Sequence, residues 1–173
     1  MKTRLPMPEL SLRLLDGGDW TLSERKPENL SMIVAYRGLH CPVCRNYLKE
    51  LNDGIEEFQK RGVDVVAVST DDAERAMAAK TDWELPKVPV AYGMTIDKAR
   101  ELGLSISTSR GKTSIGIDEP ALFNEPGLFL VKPDGTLYAA FVQTTPFARP
   151  PLDQLLKAID FINEKGYPAR GEA

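Results

Sequence analysis

The sequence predicts an α/β fold with a mixed central sheet flanked by helices, organised as a single domain over residues 1–173. Two observations lead to this prediction. Strand-like and helix-like segments alternate through the middle of the chain, and a hairpin pattern lies before and after them. Alternating elements indicate parallel strands joined by crossover helices, whereas the later hairpin adds antiparallel strands. A chain of 173 residues is long enough to bury one core.

Each element follows from its apolar period and its flanking turn residues. Leu10, Leu12 and Leu14 alternate with polar residues, a period of two that is typical of a strand. A turn at 16–19 and a partner strand at 20–22 complete an N-terminal hairpin. The central predictions are a buried strand at 30–36, a helix from Pro42 to about 61, a buried strand at 63–68, and a helix capped by Thr70-Asp71-Asp72 that ends near 80. The later predictions are an extended segment at 88–92, a helix at 96–102, a loop or irregular hairpin at 104–120, and a hairpin formed by strands at 128–131 and 136–142.

A last helix is predicted after Pro150 or Pro151, because proline suits the first turn of a helix. Its apolar residues are expected to face the core, namely Leu152, Leu155, Leu156, Ile159 and Phe161.

Composition excludes several classes of function. The formal net charge of −3 offers no electrostatic attraction for nucleic acid, and no apolar run has the length of a membrane span. Prolines at positions 6 and 8 interrupt the N-terminal stretch where a signal peptide needs an apolar helix. We therefore expect a cytoplasmic protein without nucleic-acid or membrane partners.

The two cysteines are the most informative feature of the sequence. Cys41 and Cys44 are the only cysteines, they lie three residues apart, and they follow a buried strand at the start of a helix. In a reducing compartment such a pair is catalytic or metal-binding rather than a structural disulfide. A zinc site needs two further ligands, and His40 is the only histidine. The pair therefore predicts a redox-active dithiol without metal or organic cofactor.

The position of the pair also suggests how a thiolate is stabilised. Unpaired N–H groups and the helix dipole favour an anion at the start of a helix. His40, Arg37 and Arg45 are expected to add positive charge nearby. We predict that Cys41 is the exposed nucleophile with the lowered pKa, and that Cys44 is the more buried resolving thiol.

With these residues the chain resembles the peroxiredoxin-like (AhpC/TSA, or redoxin) branch of the thioredoxin superfamily over 10–166. Thioredoxins carry Cys-x-x-Cys at this place, which Cys41 and Cys44 match. Peroxiredoxins carry Pro-x-x-x-Thr-x-x-Cys, and here Arg37 takes the proline position, Cys41 the threonine position and Cys44 the position of the peroxidatic cysteine. The resemblance implies a thioredoxin-like fold.

The sequence departs from both patterns at further positions. Pro126 stands where peroxiredoxins have an arginine before a strand, and Glu125-Pro126 is similar to the cis-proline of thioredoxins. Ala35 replaces the buried aspartate of thioredoxins. Strand order brings the loops before residue 127 and after residue 142 to the edge that carries the cysteines. Arg149, or Arg110, is therefore a candidate for the missing arginine.

The resemblance implies a thiol–disulfide oxidoreductase, reducing protein disulfides or peroxides with electrons from a thioredoxin- or glutathione-type donor. Two alternatives stay open. In an atypical peroxiredoxin the roles reverse, with Cys44 peroxidatic and Cys41 resolving. In a redox-sensing binding module the disulfide would switch a partner surface without turnover. The resemblance also favours a homodimer.

Overall fold

The apolar segments 30–35 and 63–68 form adjacent parallel strands at the centre of the sheet. Every residue of the first strand and nearly every residue of the second is buried, as is typical of parallel strands that are covered on both faces. The computed structural model describes residues 1–173. Its strands are β1 (Ser11–Leu14), β2 (Asp19–Thr21), β3 (Leu30–Ala35), β4 (Val63–Val68), β5 (Val90–Tyr92), β6 (Ile106–Thr108), β7 (Leu122–Asn124), β8 (Gly127–Val131) and β9 (Leu137–Val142). Its helices are α1 (Pro42–Gln59), α2 (Ala73–Asp82), α3 (Ile96–Glu101) and α4 (Leu152–Lys165).

Seven strands form one mixed sheet in the order β2-β1-β5-β4-β3-β8-β9. The pairs β3–β4 and β4–β5 are parallel, and the other neighbours are antiparallel. The predicted α/β class, the mixed sheet and the N-terminal hairpin are confirmed. In the segment predicted as a loop or irregular hairpin, β6 pairs with β7 as a separate two-stranded sheet.

The sheet separates two apolar cores, and the alternation along β3 shows how. Met32 and Val34 face the core that contains α1 and α4, whereas Ile33 and Ala35 face the core beneath the N-terminal hairpin and α3. No helix of the structure has both the length and the apolar character needed to cross a membrane.

One predicted core residue of α4 lies at the surface instead. Phe161 is 50% exposed and packs against Tyr167, with ring centroids 5.6 Å apart. The prediction was wrong because a helix turns about 100° per residue, which places position 161 about 200° from the buried Ile159.

The strand ends on the cysteine side of the sheet are joined by a buried asparagine. Asn124 Nδ2 donates to the carbonyls of Tyr36 (3.0 Å) and Glu125 (3.1 Å), and its Oδ1 accepts from the Thr70 N–H (3.1 Å). Tyr36 follows β3 and Thr70 lies two residues beyond β4. One side chain therefore fixes the relative positions of three chain segments next to the start of α1.

We expect Asn124→Ala to lower the free energy of unfolding by about 2–4 kcal/mol, because it leaves buried backbone groups without partners. Chemical denaturation of the reduced protein measures this loss. Asn163→Ala is the control, since Asn163 is exposed and makes one long contact of 3.5 Å. Equal losses in both variants would contradict the role given to Asn124.

Candidate active site

The first cysteine begins helix α1. Cys41 is the N-cap residue, with an extended backbone (φ −105°, ψ 102°), and Pro42 follows at the first helical position. The Cys44 N–H donates to Cys41 Sγ over 3.3 Å. A sulfur thus has the capping function that an aspartate or serine oxygen usually has. Negative charge on this sulfur is favoured by the N–H group and by the helix dipole.

Both thiols are free and buried, so the expectation of an exposed Cys41 was wrong. The loop after β9 contributes to the burial, because its Arg149 lies 3.9 Å from Cys41 Sγ. Pro146 and Phe147 of the same loop line a cleft of about 410 Å³ together with Cys41. Cys41 lines this cleft, whereas Cys44 does not. The two residues have the same exposed fraction, so the cleft is the only difference in their access.

An arginine from the same loop reaches the sulfurs. Arg149 Nη2 lies 2.9 Å from Cys44 Sγ and 3.9 Å from Cys41 Sγ. Its guanidinium stacks on Tyr47, 5.4 Å from the ring centroid, and its Nε donates to the Pro146 carbonyl over 3.2 Å. The sequence suggested Arg149 from strand order alone, and the structure brings it into contact with both sulfurs.

The segment that carries Arg149 is held mainly by side chains. No backbone N–H or carbonyl of residues 144–150 takes part in a backbone–backbone hydrogen bond. Tyr47 Oη donates to the Pro150 carbonyl over 2.8 Å, and Arg149 makes the contacts given above. The position of this segment over the thiols therefore depends on Tyr47 and on the attraction between Arg149 and the sulfurs.

The two thiols differ in acidity. A hydrogen bond from the Cys44 thiol, together with the Cys44 N–H and the charges of Arg149 and Arg37, lowers the pKa of Cys41 to about 6 despite its burial. Burial, and then the neighbouring Cys41, raise the pKa of Cys44 well above its usual value, although Arg149 lies nearer to Cys44. The pair therefore holds one thiolate near neutral pH, on Cys41, with Cys44 as its hydrogen-bond donor.

His40 does not contribute the positive charge that the sequence suggested. It is completely buried against the ring of Phe123, with centroids 4.6 Å apart, and neither ring nitrogen has a hydrogen-bond partner. Burial, and then the charges of Arg37 and Arg75, lower the pKa of His40 to about 3. His40 is therefore neutral at physiological pH.

Arg37 acts at the site through its backbone as well as its charge. Its N–H donates to Cys44 Sγ over 3.3 Å. Its guanidinium turns towards Glu125 (3.2 Å) and Glu119 (3.5 Å) and lies over the Phe123 ring, 4.8 Å from the centroid. Most of the side-chain charge is thus paired with carboxylates rather than directed at the sulfurs.

The remaining two candidates do not contact the thiols. No peptide bond in the structure is cis, so Pro126 does not reproduce the cis-proline of thioredoxins to which it is similar in sequence position. Pro126 instead precedes β8 in trans, and its carbonyl accepts from the Gln143 N–H (3.0 Å), which extends the β8–β9 ladder. Arg110 is exposed and borders the cleft beside Cys41, but its side chain makes no hydrogen bond or ion pair.

A buried aspartate that sequence reasoning treated only as part of a helix cap supports the cysteine loop. Asp71 Oδ2 accepts from the Leu39 N–H (2.7 Å), and Oδ1 accepts from Arg75 Nε (2.9 Å). Gly38 has φ +129°, and a Cβ there would lie 2.6 Å from Asp71 Oδ2. The cap itself is the next residue, Asp72. No group of three or more His, Cys, Asp or Glu side chains lies close enough to hold a metal ion.

The fold and the paired thiols define a thiol-dependent oxidoreductase of the thioredoxin superfamily. The sequence model of the AhpC/TSA family matches residues 4–140, and the chain belongs to this family. A search of curated proteins finds no significant match.

Solved structures of peroxiredoxins share the fold. A peroxidoxin from Mycobacterium tuberculosis, BcpB, superposes with a TM-score of 0.72 at 18% identity, covering 94% of this chain and 98% of that one. A reduced 2-Cys peroxiredoxin from Plasmodium vivax has a TM-score of 0.77 at 15% identity, covering 96% and 84%. Reduced Prx3 from Vibrio vulnificus, in complex with H2O2, has a TM-score of 0.71 at 15% identity, covering 92% and 99%.

The reactivity of the reduced protein with iodoacetamide should increase with pH, with a midpoint near pH 6, the pKa of Cys41, and should level off about one pH unit higher. An ordinary cysteine has its midpoint near pH 8.5. Arg149→Gln should shift the midpoint to higher pH, because it removes a positive charge that favours the thiolate. Arg45→Gln is the control on the exposed side of α1. A midpoint that is the same in all three proteins would contradict the role of Arg149.

We expect Asp71→Ala to lower the free energy of unfolding by about 3 kcal/mol, because it leaves the Leu39 N–H and the Arg75 charge without their partner. It should also slow thiol alkylation at pH 7. Asp71→Asn keeps an acceptor for the Leu39 N–H, so it should reduce the free energy of unfolding and the alkylation rate by less than Asp71→Ala does. Asp72→Ala removes only a helix cap, which is worth about 1 kcal/mol, and should leave alkylation unchanged.

Proposed function

We propose that the protein is a dithiol oxidoreductase in which Cys41 attacks the substrate and Cys44 resolves the product. The observation that supports this proposal is the asymmetry of the pair. Cys41 has the lowered pKa and lines a cleft, whereas Cys44 has a raised pKa and does not line that cleft. A thiolate rather than a thiol is the nucleophile, so the more acidic sulfur, which also borders the cleft, is the better attacker.

With a disulfide substrate, the Cys41 thiolate attacks one sulfur and expels the other as a thiolate, leaving a mixed disulfide on Cys41. With a peroxide, the thiolate attacks the terminal oxygen, the O–O bond breaks, and Cys41 becomes a sulfenic acid, while the alkoxide or hydroxide that leaves takes up a proton from water. Arg149 Nη2, 3.9 Å from Cys41 Sγ, can stabilise the charge that develops on the leaving atom.

In the resolving step, Cys44 sulfur attacks Cys41 sulfur and forms the intramolecular disulfide. No carboxylate makes a contact with either sulfur, so the proton of Cys44 must leave with the departing group. When a peroxide has oxidised Cys41, the departing group is the hydroxyl of the sulfenic acid, which leaves as water together with the Cys44 proton. Arg149, 2.9 Å from Cys44 Sγ, favours the Cys44 thiolate while it forms.

A second assignment, a peroxidase with Cys44 as the attacking residue, has its own support. Cys44 Sγ accepts from the Arg37 N–H (3.3 Å) and from Arg149 Nη2 (2.9 Å), two donors suited to a thiolate and to a bound peroxide. The H2O2 complex of the Vibrio vulnificus relative also favours a peroxide substrate. Either assignment ends with the same Cys41–Cys44 disulfide, which a thiol donor in a reducing compartment such as the cytoplasm would reduce.

Single-turnover oxidation of the reduced protein tests the proposal and separates the two assignments. Peroxide consumption is followed for wild type, Cys41→Ser and Cys44→Ser, with mass spectrometry of the product. We expect Cys41→Ser to lose the fast reaction. Cys44→Ser should keep it and stop at a sulfenic acid on Cys41, because no resolving thiol remains. Arg149→Gln should slow the wild-type reaction by about tenfold or more, the effect of losing a positioned donor.

The opposite pattern, with the fast reaction lost in Cys44→Ser and kept in Cys41→Ser, would establish Cys44 as the attacking residue. A rate no greater than that of a free thiolate for peroxide, combined with fast reaction towards an aromatic disulfide, would restrict the substrate to disulfides. Oxidation without multiple turnover, in the presence of excess thiol reductant, would identify a redox-sensing module instead of an enzyme.

A further inference from the structure

The segment between β9 and α4, residues 144–150, has few backbone contacts to hold it in place. None of its backbone groups takes part in a backbone–backbone hydrogen bond. Ala148 has φ +53°, a left-handed conformation that is costly for a residue other than glycine. Residues 144–147 line one pair of connected clefts and residues 148–150 line a separate one. Open space therefore borders the segment on two sides.

The charge on the sulfurs is the main attraction that holds this segment closed. Arg149 Nη2 lies 2.9 Å from Cys44 Sγ and 3.9 Å from Cys41 Sγ. Its other contacts are the Pro146 carbonyl of the same segment and the ring of Tyr47. Arg149 forms no ion pair with a carboxylate, so the thiolate is its only anionic partner.

Oxidation of the thiols removes this attraction. The Cys41 thiolate and the Cys44 thiol lose two electrons to the oxidised substrate, which also takes up the Cys44 proton, and a neutral S–S bond forms. The half-buried guanidinium of Arg149 then has no anionic partner. A charge in that position is better solvated by water, because an unpaired charge is costly away from solvent.

We propose that formation of the Cys41–Cys44 disulfide releases segment 144–150 from the sulfurs, while helix α1 stays folded. This inference rests on the proposed dithiol cycle and adds a redox-dependent change of shape to it. In the reduced protein the segment shields the thiolate. In the oxidised protein its release widens access to the disulfide, at the point in the cycle when a reductant must reach it.

The place of the cysteines in α1 explains why the helix need not unwind. Cys41 caps the helix and Cys44 is its third residue, so both sulfurs lie on the first turn. The Cys44 N–H is already within 3.3 Å of Cys41 Sγ. Side chains three residues apart on a helix have Cβ atoms about 5–6 Å apart, and a disulfide needs about 3.5–4.5 Å, so a small shift is enough. Beyond this turn α1 is anchored by the buried residues Leu48, Leu51, Ile55 and Phe58.

Limited proteolysis with chymotrypsin tests the release by comparing reduced protein with protein oxidised by diamide, and mass spectrometry identifies each cut. The Phe147 side chain is already 63% exposed, so the rate of cleavage after it is limited by how often the segment leaves the surface. We expect this cleavage to be about tenfold faster in the oxidised protein, the effect of losing one charge-assisted hydrogen bond. Cleavage after Tyr47 in α1 and after Phe161 in α4 should be equally slow in both forms.

Arg149→Gln should be cleaved after Phe147 in its reduced form about as fast as oxidised wild type, and oxidation should add little. Arg45→Gln is the matched control, since Arg45 is exposed on α1, and it should keep the difference between the two forms.

Equal cleavage after Phe147 in reduced and oxidised wild type, or the same ratio in Arg149→Gln as in wild type, would overturn the release and leave the dithiol cycle intact. Faster cleavage after Tyr47 on oxidation would overturn the statement that α1 stays folded. Failure of diamide to form the disulfide would instead contradict the proposed function, and the release with it.

Discussion

The charge of one buried thiolate is the constraint on which the site depends. A charge taken out of water is stable only when donors and an opposite charge surround it. Here the first turn of α1 supplies the Cys44 N–H, and Arg149 supplies the positive charge from a loop more than a hundred residues away. The segment with Arg149 is in turn held over the sulfurs by that same charge. The loop that shields the thiols and the charge that it shields therefore stabilise each other.

Around this centre, carboxylates hold the supporting residues in place without touching the sulfurs. Asp71 fixes the loop before Cys41, and Glu119 and Glu125 hold the Arg37 side chain to one side. This arrangement leaves the Arg37 backbone free to donate to Cys44. A carboxylate in contact with the sulfurs would raise their pKa by like-charge repulsion. The acids are thus close enough to orient the site and far enough away to permit a thiolate.

Much of the fold and part of the site could be predicted because the signals are local. The alternation of Leu10, Leu12 and Leu14 and the apolar run before Cys41 determine strands, and strand order was enough to suggest Arg149. The burial of Cys41 and His40 could not be read in this way. It arises from Phe123 and from the loop after β9, which are distant in sequence, and no local pattern records their approach. Asp71 was misjudged for the same reason, since its partner Leu39 lies 32 residues away.

The lowered pKa of Cys41 also affects the energetics of electron transfer. Below pH 6 the disulfide takes up two electrons and two protons, whereas above pH 6 it takes up only one proton, because Cys41 remains a thiolate. The midpoint potential should therefore fall by about 59 mV per pH unit in acid and by about 30 mV per pH unit near neutrality. An ordinary dithiol keeps the steeper slope up to about pH 8.5. At neutral pH this protein is consequently a stronger oxidant than the same disulfide would be without its helix N-terminus and its arginine.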